Sequence, residues 1–179
     1  MNTSQNDKTI KQLKHIQTIN QKHLFPLVVI CENLHSPQNV GMIFRISEIM
    51  GVQHLYLTGT TPAPPNAKLA KTARSAQKKI PFTQLSEAST TLIALKKEGY
   101  SVIGLEITNQ SKDIHTFDFK SIEKIALVVG AENGGISATI LKQLDQAICI
   151  PMFGQLSSLN VATALSIGLY EITKQWYSK

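Results

Sequence analysis

Residues 125–137 read IALVVGAENGGIS, and the first six of them decide the fold. IALVVG is apolar throughout, which predicts a strand buried on both faces. The glycines at 130, 134 and 135 predict a loop in which backbone comes close to backbone or to a ligand. Working outward, apolar runs at LVVIC (27–31), HLYL (54–57), SVIGL (101–105) and AICIP (147–151) predict four further strands. Between them lie helical stretches: VGMIFRISEIMG ending at Gly51, a segment that stops at Lys97-Glu98-Gly99, and Asn160 to about Trp176. Strands and helices alternating at this spacing predict an α/β fold, a parallel sheet with helices on both faces. Ligands of such sheets gather at the carboxyl ends of the strands, so the loops there are the places to search.

The 179 residues and 42% hydrophobic content suit one core-bearing domain, expected over 27–179, preceded by a basic extension over 1–26. In that extension Ile10, Leu13, Ile16 and Ile19 fall three apart on one stripe, which predicts a docking helix. With an extension of 26 residues, no additional RNA-binding domain is expected, and RNA recognition is expected from the extension and the 66–80 patch. The net charge of +6 is concentrated in two places: residues 1–26 carry +3, and residues 49–86 carry Lys68, Lys71, Arg74, Lys78 and Lys79 with no acid. Clustering of this kind fits a polyphosphate partner or, equally, a solvated lysine face. Cys31 and Cys149 lack metal-ligand spacing and read as small buried hydrophobes. No apolar run approaches the roughly 20 residues of a membrane span, and no signal peptide opens the chain, so a cytoplasmic, metal-free protein is expected.

Three loops carry candidate chemistry. GAENGGIS (130–137) is neither the dinucleotide fingerprint G-x-G-x-x-G nor a P-loop, and Ser137 reads as a helix cap. Arg45, one of only two arginines, sits among Met42, Ile43, Phe44, Ile46 and Ile49. Its guanidinium calls for a phosphate or a carboxylate, with Glu48 and Glu132 as candidate partners. Asn39 reads as the N-cap of that helix. After the fifth strand, PMFGQLSSLN places Ser157, Ser158 and Asn160 ahead of a helix whose first amides suit a polar ligand or simple capping.

Together, NVGMIFRISEIMG, LVVGAENGGIS and IPMFGQLSSLNVATALSIGLYE resemble, in order and spacing, the three motifs of the SpoU family, the TrmH-like branch of the SPOUT RNA methyltransferases. The resemblance covers about residues 27–173. It implies a C-terminal trefoil knot in the α/β domain, which composition does not reveal, and a homodimer whose active site draws on both subunits through the first-motif and C-terminal helices. It implies S-adenosylmethionine (AdoMet) as cofactor, held mainly by backbone around Leu105, Gly130, Glu132, Ile150 and Leu159. By the same resemblance, Arg45, Asn39, Glu132, Ser158 and Asn160 serve methyl transfer to a ribose 2′-hydroxyl, Arg45 as proton acceptor or as positioner of a substrate phosphate. Arg45, Lys68, Lys71, Arg74, Lys78 and Lys79 are the expected RNA contacts, with tRNA ahead of rRNA. Ala162 and the Ala131-Glu132-Asn133 form of the second motif depart from commoner versions and bear on subgroup and target nucleotide.

Overall fold

The computed structural model describes residues 10–12 and 23–178. IALVV forms strand β6 (Ile125–Val129), paired in parallel with β1 (Leu27–Glu32) on one side and β4 (Ser101–Leu105) on the other. All five of its residues are buried, as a strand covered on both faces requires. Beyond β1 lie β2 (His54–Thr58) and β3 (Phe82–Leu85); beyond β4 lie β7 (Gln146–Cys149) and β5 (Lys112–Asp113). The sheet order is β3-β2-β1-β6-β4-β7-β5, every neighbouring pair parallel. The chain thus inserts β6 between β1 and β4, and β7 between β4 and β5, after both flanking strands have been laid down. This arrangement matches the knotted fold that the resemblance implies.

Alternate residues of each strand feed two cores, as a period of two dictates. Val29, Cys31, Ile103, Leu127 and Val129 pack with Ile43 and Phe44 of α1 (Pro37–Ile49), Leu69 of α2 (Ala67–Ala73), and Leu165, Leu169 and Ile172 of α5 (Val161–Tyr177). Val28, Ile30, Ala126 and Val128 pack on the opposite face with Leu92 and Leu95 of α3 (Ser89–Lys97) and Ile140 of α4 (Ala138–Leu141). Helices therefore cover both faces, as expected.

The differences from expectation are local. Strands β3 and β5 lie outside the five predicted strands; FTQL is only half apolar, and the two-residue KD strand lies in a polar stretch at the sheet edge. The first helix begins at Pro37, and its N-cap is Ser36, whose hydroxyl accepts from the Asn39 N–H. Asn39 is therefore not the cap, which frees its side chain. A proline in the first turn suits a helix start because its missing N–H has no partner to lose. Of the expected N-terminal helix, Leu13, Ile16 and Ile19 lie outside the described residues, while Ile10 is fully exposed and outside any helix. Among the described residues no helix is long and apolar enough to cross a membrane.

Candidate active site

The carboxyl ends of the three adjacent strands β6, β4 and β7, with the segment entering α5, enclose a cleft of about 490 Å³. That lies within the range usual for small-molecule sites. Part of its wall is the glycine-bearing loop after β6, and the sequence explains its shape. The loop after β6 doubles back on itself: the Ala131 N–H donates to the Gly135 carbonyl at 3.0 Å and the Gly135 N–H to the Ala131 carbonyl at 2.8 Å. A Cβ on residue 130 would fall 2.1 Å from the Gly135 carbonyl carbon, so only glycine permits this turn. Gly135 has φ +63°, and its Cα lies against the Glu106 carboxylate. The five residues expected to hold a cofactor, Leu105, Gly130, Glu132, Ile150 and Leu159, all line the cleft, together with Ser158 and Asn160.

At the rim, three side chains from three elements form one hydrogen-bonded chain. Glu132 accepts from the Asn39 side-chain amide at 2.8 Å, and from the main-chain N–H groups of His35 at 2.9 Å and Ser36 at 3.1 Å. The Asn160 amide donates to the Asn39 carbonyl oxygen at 3.0 Å. Asn160 also caps α5, its Oδ1 accepting from the Ala162 and Thr163 N–H groups, so capping and site-building coincide in one residue. Burial pushes the Glu132 carboxyl up, but the donors from His35, Asn39 and Ser36 outweigh it and hold its pKa at about 2. The Ser158 hydroxyl lines the cleft and makes no hydrogen bond among the described residues.

Arg45 departs from its expected pairing. Glu132 is filled by other donors, and Glu48 instead meets Lys79 at 3.4 Å. Arg45 is half-buried, does not line the cleft, and makes no hydrogen bond or ion pair among the described residues. It lies three residues from Met42 and four from Ile49, so the three share the α1 face where both apolar side chains are exposed. The other basic residues behave as a group. Lys68, Lys71, Arg74, Lys78 and Lys79 are all exposed, on α2 and the turns that follow it. Helix α2 docks on the start of α1, where the Thr72 hydroxyl donates to the Gln38 carbonyl at 3.2 Å, and Gly41 admits the approach by lacking a Cβ. The patch therefore adjoins the turn that carries Asn39.

Two cleft residues escaped the sequence reading. Glu106, immediately after β4, accepts from the Ile136 N–H at 2.9 Å and the Ile107 N–H at 2.9 Å and so braces the glycine loop. Its signal was available: an acid placed at the carboxyl end of an apolar strand. Cys149 is only half-buried and lines the cleft, whereas Cys31 is fully buried with its thiol pushed up to about 12 by desolvation. Among the described residues no group of three or more His, Cys, Asp or Glu side chains is placed to hold a metal.

The SpoU rRNA Methylase family model matches residues 26–170, and the chain belongs to that family. It is 31% identical over 170 residues to a 23S rRNA (guanosine-2′-O-)-methyltransferase of Vibrio vulnificus, covering 94% of this chain and 68% of the relative. Against an uncharacterized tRNA/rRNA methyltransferase of Synechocystis sp., 31% identical over 84% of this chain, it spans only 38% of the relative's length. Among solved structures it is similar to the A. aeolicus TrmH/SpoU tRNA modifying enzyme, with a TM-score of 0.79, 26% identity, and coverage of 88% of this chain and 78% of the other.

Proposed function

We propose that this chain is an AdoMet-dependent RNA methyltransferase that modifies a ribose 2′-hydroxyl, working as a cytoplasmic homodimer, with the enzyme domain over 27–179 and a basic extension over 1–26. The observation that carries the reading is the chain Glu132–Asn39–Asn160 at the rim of a cleft lined by the glycine-bearing loop after β6. The wall fits the cofactor: the Gly130 cradle, which a Cβ would fill, brings backbone groups close, and Leu105, Ile150 and Leu159 offer apolar surface. When bound, AdoMet supplies a cationic, activated methyl group. The protein's task is then to bring a hydroxyl oxygen into line and to manage its proton.

Each residue has a role in that task. Asn39 and Asn160 share one hydrogen bond, and each amide keeps a second N–H that can be offered to the ribose. Ser158 offers an uncommitted hydroxyl. Glu132 stays ionised and fixes the loop that bears Asn39. Arg45 carries a planar guanidinium that offers donors and no acceptor, and it acts as the positioner of a substrate phosphate. In one subunit it stands outside the cleft, beside exposed Met42 and Ile49; exposed Ile167 and Tyr170 on α5 extend the apolar surface available to a second copy. Pairing through these helices delivers Arg45 to the neighbouring cleft. The basic patch on α2 tracks the RNA backbone.

tRNA is the first substrate to test. rRNA has its own support in the activity for which the Vibrio relative is named. Calorimetry with AdoMet, NAD and FMN tests the cofactor, with AdoMet the expected binder. Labelled methyl transfer to tRNA and rRNA fractions from a strain lacking the gene tests the substrate. Binding of AdoMet without transfer to either fraction would instead indicate an RNA-binding relative that has lost catalysis.

A further inference from the structure

Methylating a hydroxyl releases a proton, and the cleft wall offers nothing free to take it. Of the titratable side chains that line it, Glu132 has both carboxylate oxygens occupied by N–H donors and its pKa held at about 2. Glu106 is occupied in the same way, one oxygen by Ile107 and the other by Ile136. The Cys149 thiol is pushed up by burial and by neighbouring Asp113, which favours the protonated form. The next titratable group outward is His35. Its main-chain N–H is bonded to Glu132 Oε2 at 2.9 Å, and its ring Nδ1 lies 3.6 Å from the same oxygen, within ion-pair reach although longer than a hydrogen bond. The side chain is 66% exposed, and its ring makes no hydrogen bond among the described residues.

We propose that His35 is the general base of this site, taking the proton of the attacking ribose hydroxyl on Nε2 while Nδ1 faces Glu132. The inference rests on the 2′-O-methyltransferase reading above. As the hydroxyl O–H bond breaks, an N–H bond forms on the imidazole, and the freed oxygen electron pair makes the new bond to the methyl carbon. The methyl-to-sulfur bond breaks, leaving a neutral thioether, and the imidazolium later returns its proton to solvent. Glu132 is the one charged group that the described residues place against the ring; Ser36, Asn39 and Asn160 nearby are neutral. That carboxylate turns Nδ1–H inward and stabilises the charge the ring gains, the division of labour of a carboxylate–histidine pair. Imidazole suits the task because one ring nitrogen can take a proton while the other keeps its own.

The test compares His35→Gln and His35→Ala with the wild-type protein. Single-turnover methyl transfer should fall about 10²- to 10⁴-fold, the acid limb of the wild-type pH–rate profile should vanish in H35Q, and added imidazole should restore part of the H35A rate. AdoMet affinity by calorimetry and RNA affinity by fluorescence anisotropy should stay within about twofold. A further readout needs no activity: with RNA bound and no AdoMet present, modification by diethyl pyrocarbonate should be blocked at His35 and unchanged at exposed His115. Full activity in H35Q, a loss that merely follows RNA affinity with the acid limb intact, or no shielding of His35 would overturn the proposal. If the wild-type protein methylates no RNA, the functional reading fails separately, and shielding still reports whether His35 meets the polynucleotide.

Discussion

Glu32 and Glu132 stand at the carboxyl ends of neighbouring strands, and each reaches into the other's loop. Glu32, closing β1, accepts from the Ser137 N–H at 3.0 Å and hydroxyl at 2.6 Å, beyond β6. Glu132, beyond β6, accepts from His35, Ser36 and Asn39, beyond β1. The two stitches are reciprocal, yet their surroundings differ. Glu32 is buried, and its partner Ser137 also caps α4. Glu132 forms part of the cleft wall and engages Asn39, which passes the constraint to Asn160. One carboxylate fastens loops together, while the other fastens loops and arranges polar groups around a ligand site.

The largest effect lies outside both stitches, at Arg45. Arg45→Ala should reduce RNA methyl transfer by about 10³-fold or more, by analogy with loss of a group that orients substrate charge, while AdoMet affinity and melting temperature hold. Glu132→Ala comes next: three donors lose their acceptor and Asn39 loosens, so kcat/KM should fall about 100-fold with some loss of stability. Glu32→Ala should show the reverse, a cost of about 2–3 kcal/mol in denaturant unfolding with kcat/KM changed less than about threefold. A large kinetic defect in Glu32→Ala would break the comparison.

Acid titration separates Glu132 more finely. Its pKa in the fold, about 2, lies below the ordinary 4.5, so its stabilisation is complete above pH 4.5 and is lost as pH falls from there towards 2. Discounted for the solvent screening of a rim group, this is about 1–2 kcal/mol. Melting curves of Glu132→Gln across that window should therefore fall less steeply than those of the wild-type protein. The smallest effect belongs to the patch on α2: Lys68→Ala or Lys71→Ala should each lower the slope of log binding constant against log salt by about one, read by anisotropy with RNA.

How much of this was legible depended on the signal each element carried. The central strands announced themselves through apolar runs such as IALVV and LVVIC, because burial on both faces leaves no room for polar alternation. β3 and β5 sit at the sheet edges, where FTQL and KD pay little for polarity, and neither stood out. The insertion of β6 and β7 between earlier strands has no local signature; motif order alone pointed to it. Asn39, Glu132 and Asn160 were each readable singly as caps or turn residues, and only their joint occurrence marked a site. Pro37 carried the clue that moved the helix start and its cap upstream to Ser36. The pairing of Arg45 with Glu48 or Glu132 did not appear because sequence separation does not tell which face of α1 meets its own cleft and which faces outward.

On the function proposed above, the Glu132–Asn39–Asn160 rim presents a ribose hydroxyl to the methyl donor. Alkaline hydrolysis of RNA labelled by the enzyme tests it most directly, because methylation at O2′ removes the nucleophile that cleaves the adjoining phosphodiester. Label recovered in alkali-stable dinucleotides is the expected result; label recovered in mononucleotides, as a methylated base would give, would contradict it.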